Sequence, residues 1–194
     1  MIKKISAEIL GTLILTLAVA VSLAGTFPVP TPIIAGLALG MGVYSLGNIS
    51  GAHFNPAITL SLLAIKKISV NDAVIYICSQ LIGAAAAAHI ARHMVSVAPA
   101  VNPDAYPIMM AELIGTFIFA TGVAAAAHDK VSPGASGLVV GGSLLLGISV
   151  AASVSIGILN PAVALGLGSF SYSYMLGPIV GAILAMAFYK YISE

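Results

Sequence analysis

The chain has 194 residues, of which 60% are apolar and 7% charged, and its formal net charge is +1. So little charge excludes a dissolved globular domain, whose surface needs far more, and the lack of a basic run excludes a nucleic-acid binder. The bilayer suits such a surface, and at about 20 apolar residues per crossing the length holds six spans with short loops.

Lys3 and Lys4 lead into a first apolar span at residues 5–24. The start looks like a secretory signal, but Glu8 interrupts the run and the same stretch recurs in mid-chain, so it reads as a span. A second span covers 33–49, and a shorter apolar stretch covers 55–65. Long spans follow at 73–92, 107–127 and 135–154. A second short stretch runs over 160–168, and the last span is 172–191. With the amino end in the cytoplasm, Lys3, Lys4, Lys66, Lys67, Lys130 and Lys190 fall inside and only Arg92 outside. That bias predicts an integral protein of the cell membrane with both termini cytoplasmic.

The sequence repeats itself. Ala7-Glu8-Ile9-Leu10-Gly11-Thr12 returns as Ala111-Glu112-Leu113-Ile114-Gly115-Thr116, and Asn55-Pro56-Ala57 returns as Asn160-Pro161-Ala162. Tyr76, Gly83 and Ala84 match Tyr174, Gly181 and Ala182. One domain, 1–194, is therefore expected to hold two repeats near 1–98 and 106–194. Three long spans per half force opposite orientations, an inverted repeat with its site near the midplane.

Each short stretch opens with Asn-Pro-Ala. Proline suits the first turn of a helix and asparagine its N-cap, so both stretches read as helices reaching about halfway across the core. Entering from opposite faces, they would meet at their positive ends and repel cations. The asparagine amides would offer donors to a passing molecule. The backbone before each, 50–54 and 155–159, is expected to be non-helical and to line a cavity with its carbonyls. The acceptors would come from Gly51, Ala52 and His53 in the first half and Gly157, Ile158 and Leu159 in the second.

Ser50-Gly51-Ala52-His53-Phe54-Asn55-Pro56-Ala57 with Thr59, together with the second Asn-Pro-Ala, closely resembles the signature of the aquaporins, over nearly the whole chain. The resemblance implies an all-α membrane fold of six spans and two re-entrant half-helices. It implies a passive channel for water or small uncharged solutes, assembled as a homotetramer. It also implies that Glu8 and Glu112 brace the re-entrant loops; intramembrane carboxylates are costly and functional, and the alternative is a proton relay. In the family, the residue equivalent to His53 contributes mainly its carbonyl.

The chain departs from the family where an arginine usually follows the second Asn-Pro-Ala: here it is Val163, and no Arg or Lys occurs over 131–189. By motif spacing, the other positions of the outer constriction fall on Ala35, Ile148 and Gly157. Such a filter lacks a fixed charge and a donor fork, and the small residues widen it. Plant vacuolar members also carry valine there, which suggests ammonia, urea or peroxide, with glycerol a further candidate. An apolar constriction could instead dewet, giving a structural or poorly conducting protein.

No cofactor motif and no hydrolase motif appears, so an enzyme is not expected. Cys78, among apolar neighbours, reads as a buried small hydrophobe. His89, His93 and His128 lie toward span ends and read as lacking partners at ligand spacing, so no metal is expected. The pairs Gly36/Gly40, Gly137/Gly141 and Gly177/Gly181 and the run Ala84 to Ala88 predict close helix approach.

Overall fold

The computed structural model describes residues 1–24, 28–95 and 104–194. Among them are α1 (Ile2–Ser22), α2 (Thr31–Ser50), α3 (Pro56–Ala64), α4 (Val70–Met94), α5 (Tyr106–Ala127), α6 (Pro133–Ala151), α7 (Pro161–Gly166) and α8 (Tyr172–Ser193). Six are long and apolar enough to cross a membrane; α3 and α7 are not. The expected end of the first repeat at residue 98 lies outside the described residues.

The ends of the helices have local causes. α4 begins at Val70, ahead of the apolar run, because the Ser69 side chain accepts the Asp72 N–H at 3.1 Å and polar Asn71 and Asp72 fit a first turn. α6 stops at Ala151, short of the expected 154, in a turn in which Ser155 N–H bonds the Ala151 carbonyl. α7 is only six residues long, against the nine of α3, and Gly168 follows it in the left-handed region at φ +73°. Pro178 sits inside α8, where its missing N–H weakens the ladder.

Between apolar helices in lipid, close packing replaces the hydrophobic effect as the main attraction. α2 and α6 cross on four glycines. A Cβ on Gly36 would stand 2.7 Å from the Gly141 carbonyl oxygen, and one on Gly40 would stand 2.7 Å from that of Gly137. α1 packs on α4 and α2, and α5 on α8 and α6. The short helices cross over: α3 packs mainly against α8, and α7 mainly against α4. Each half thus inserts its short helix into the other, and the two cannot separate without exposing both.

The outer surface is apolar, as lipid contact requires. Cys78 belongs to it: it is exposed, one turn from exposed Val74 and Ile82, and not buried as its neighbours suggested. Apolar neighbours in a membrane helix do not distinguish a lipid face from a core.

Candidate functional site

Asn55 and Asn160 meet at the centre. Asn55 Oδ1 accepts the Ala57 N–H at 2.8 Å; Asn160 Oδ1 accepts those of Ala162 and Val163 at 3.0 and 3.3 Å. Pro56 and Pro161 fill the first helical position of α3 and α7. The amide nitrogens reach across: Asn55 Nδ2 donates to the Leu159 carbonyl and Asn160 Nδ2 to the Phe54 carbonyl, both at 2.9 Å. Each amide carries two N–H groups, so one on each side remains for a visitor. The Leu159 carbonyl, expected to face the passage, also accepts from Asn55.

Such a junction requires unusual backbone before each asparagine. Gly51 takes φ +92°, Ala52 +52° and Phe54 +49°; Gly157 takes +63° and Leu159 +55°. Left-handed conformations are costly for residues with a Cβ. The buried carboxylates bond the N–H groups of these segments. Glu8 accepts the His53 N–H at 3.0 Å and the Phe54 N–H at 2.8 Å. Glu112 accepts those of Ile158 and Leu159 at 3.0 and 2.7 Å.

The repeated Ala-Glu-x-x-Gly-Thr now has a physical meaning. Its glutamate takes the loop N–H groups. Its glycine, one turn on, leaves room for the residue before the asparagine: a Cβ on Gly11 would overlap the Phe54 ring, and one on Gly115 would lie 2.8 Å from Leu159 Cδ2.

Several contributors escaped the sequence reading. Ser50 and Ser155 donate to Glu8 and Glu112 at 2.6 and 2.7 Å and accept the N–H two residues on. They share the spacing of the two asparagines, a signal available in the sequence. Gln80 Nε2 donates to Glu8 at 2.8 Å and to Thr59 Oγ1 at 2.9 Å. No repeat partner marks it, because Pro178 stands in the corresponding place. Tyr76 donates its hydroxyl to the Ser50 carbonyl at 2.7 Å, and the Tyr174 hydroxyl accepts the Ile156 N–H at 3.3 Å.

Two cavities lie near the asparagines. One, on the side of the chain termini, has about 280 Å³ for the centres of water-sized molecules and is lined by Gly51, Ala52 and Lys67 among others. The other has about 10 Å³, about the least that admits a single water. Ala35, Ile148, Gly157 and Val163 all line this narrow cavity, as do Asn55 and Asn160. The structure therefore brings the four constriction positions together beside the asparagines. The narrowness has a visible cause: Leu15, Leu39, Phe119 and Leu144 from the surrounding long helices also face it. Small residues at Ala35 and Gly157 are thus offset by large ones nearby.

Away from the centre, His89 and His93 sit one turn apart on α4 with ring centroids 4.7 Å apart, so the reading of them as unpartnered fails. His93 Nδ1 bonds the His89 carbonyl oxygen at 2.9 Å. Among the described residues, no three His, Cys, Asp or Glu side chains gather to hold a metal.

Known proteins resemble this chain. The profile of the major intrinsic protein family matches residues 1–189. Aquaporin AqpM of Methanothermobacter marburgensis is 32% identical, over 99% of this chain and 98% of that protein. Glycerol uptake facilitator protein-like 6 of Lactiplantibacillus plantarum is 32% identical, over 94% of each. The X-ray structure of the aquaglyceroporin from Plasmodium falciparum superposes with a TM-score of 0.76 at 19% identity, covering 100% of this chain and 96% of that one. The chain spans a membrane and belongs to the major intrinsic protein family, the family of the aquaporins.

Proposed function

We propose that the chain is a passive channel through which water and small uncharged solutes move in single file between Asn55 and Asn160. The observation that carries this is the reciprocal asparagine contact, which leaves one amide N–H on each asparagine beside the narrow cavity that both line. A passing molecule accepts from these amides. Carbonyls of Gly51, Ala52, His53, Gly157 and Ile158 accept from it in turn, while Glu8 and Glu112 hold both loops in place. Cations are repelled by the converging amino ends of α3 and α7, with Lys67 adding charge at the wider mouth.

Ala35, Ile148, Gly157 and Val163 form the selectivity filter. Without arginine it discriminates by size and polarity and not by charge, which favours urea, ammonia, peroxide or glycerol beside water. The protein sits in the cell membrane with both termini cytoplasmic, as a homotetramer with one passage per subunit, and has no catalytic role. Residues 1–98 and 106–194 act as the two repeats of one channel domain.

Stopped-flow swelling and shrinkage of proteoliposomes tests this. Permeabilities above empty vesicles are expected for water and for at least one of urea, glycerol and ammonia. Val163→Arg should shift the preference toward water; an unchanged preference removes Val163 from the filter. The cavity of about 10 Å³ favours a second reading, a poorly conducting protein on the same scaffold. Permeabilities equal to empty vesicles for every solute would establish it in place of the first.

A further inference from the structure

The end of α4 carries two histidines outside the passage. His89 and His93 have the spacing that puts two side chains on one face of a helix, and both are exposed. Their ring centroids stand 4.7 Å apart with 54° between the planes. A cation bound to two imidazole nitrogens at about 2.0–2.1 Å, with bonds about 90–110° apart, would set the ring centres about 4.5–5.2 Å from each other. The pair is thus already at chelating separation. His93 also has its lone pair where a metal needs it. Its Nδ1 lies 2.9 Å from the His89 carbonyl oxygen. That oxygen can only accept, so Nδ1 carries the hydrogen, and Nε2 of the neutral ring keeps its lone pair. Ligating histidines commonly have their other nitrogen bonded to a carbonyl in this way. The local field favours a cation, because the last carbonyls of α4 carry partial negative charge. Arg92, the neighbouring cation in sequence, is held elsewhere. Its Nε donates to the Ala88 carbonyl at 3.1 Å, and it lines a cavity with Leu165 and Gly168 at the end of α7.

We propose that His89 and His93 form a two-histidine site for a divalent transition cation of the Ni²⁺, Cu²⁺ and Zn²⁺ class, with water completing the coordination. Imidazole suits these ions, whereas Mg²⁺ and Ca²⁺ prefer oxygen. Two protein ligands leave the site open, so the ion exchanges and the fold does not depend on it. The ion closes a ring across the last turns of α4 and needs those turns to be helical. It therefore stabilises the folded chain by mass action. The site lies outside the passage and makes no demand on what the passage conducts.

Untagged protein in detergent is titrated calorimetrically with Ni²⁺, and its unfolding temperature is read with and without the ion. Wild type is compared with His89→Ala, His93→Ala and the double variant. Wild type should bind one ion per chain. Either single variant should bind at least about tenfold more weakly, the least that loss of even an outer-shell partner costs. Ni²⁺ should raise the unfolding temperature of wild type and leave that of the double variant where it was; Mg²⁺ should raise neither. Cu²⁺ on wild type should show imidazole nitrogen couplings in its electron paramagnetic resonance spectrum, and these should disappear in the double variant. Ni²⁺ binding undiminished in the double variant would place the ion at His53 or His128 and overturn the site. So would a wild type that binds no Ni²⁺ up to the millimolar range, or one that binds Mg²⁺ equally well. None of these readouts involves flux, so the channel reading stands or falls separately.

Discussion

The two re-entrant loops perform the same task with different supports. In the first half Glu8 binds two backbone N–H groups, the Ser50 hydroxyl and Gln80 Nε2, and Gln80 continues to Thr59 and His53. In the second half Glu112 binds two backbone N–H groups and the Ser155 hydroxyl. Ile158, Ala164 and Pro178 stand where the first half has His53, Thr59 and Gln80. The shared part positions the asparagines. The part found in one half only adds a side-chain network behind the first loop that the second loop lacks, so a symmetric scaffold carries asymmetric supports.

Removing the carboxylates tests the shared part and should give the largest effects. Glu8→Ala strands four donors in the interior and Glu112→Ala three. Each neutral donor left unpaired in the interior costs about 1–3 kcal/mol. Both variants should lose thermal stability in detergent, Glu8→Ala by more, and both should lose flux. Equal or reversed losses would show that Gln80 contributes nothing to holding the first loop. A proton relay makes a different demand: it needs proton-driven transport that stops in Glu8→Gln while folding is kept.

A smaller effect separates loop position from helix packing. In Gly11→Ala the added methyl meets the Phe54 ring; in Gly115→Ala it meets the Gly147 carbonyl oxygen at 2.7 Å as well as Leu159. Overpacking of this kind costs about 1–3 kcal/mol. Gly11→Ala should displace Phe54 and, with it, the carbonyl that receives Asn160, lowering water permeability more than stability. Gly115→Ala should lower stability more, because α5 and α6 must move apart. The opposite ranking would mean that the loops, not the helices, yield first.

These glycines also show how far the sequence could be read. The six spans, the two short helices and the repeated Asn-Pro-Ala follow from apolar run length and from the chemistry of asparagine and proline, which are local. That the glycine of Ala-Glu-x-x-Gly-Thr makes room for Phe54 or Leu159 depends on a partner more than 40 positions away, and nothing local marks it. The narrow cavity was hidden for the same reason. Ala35 and Gly157 argued for width, while Phe119 and Leu144, ordinary apolar residues on long spans, close it. Cys78 failed as a buried residue because lipid-facing and core-facing positions carry the same side chains. Gln80 is visible as a polar residue in a span, but its partners are not.

The last contrast lies in how the third long helix of each half begins, and it should give the smallest effect. α4 is capped from its own neighbour, Ser69. α8 is capped from across the half by Asp104, whose Oδ1 accepts the Ser173 N–H at 2.9 Å. The Ser173 N–H foremost, with neighbouring bonds, holds the exposed Asp104 carboxyl below its ordinary value of 3.8. A depressed carboxyl contributes stability that is complete above its ordinary value and is lost as pH falls through the lower, folded one. The two caps should therefore differ in their response to acid. Ser69→Ala should lower stability by about 1 kcal/mol at every pH. Asp104→Ala should lower the unfolding temperature slightly at neutral pH, and its difference from wild type should shrink below pH 3.8. Unfolding curves of both variants from neutral to acid pH check this. A Ser69→Ala difference that also shrinks, or an Asp104→Ala difference that persists in acid, would show that the charge on Asp104 does not hold the start of α8.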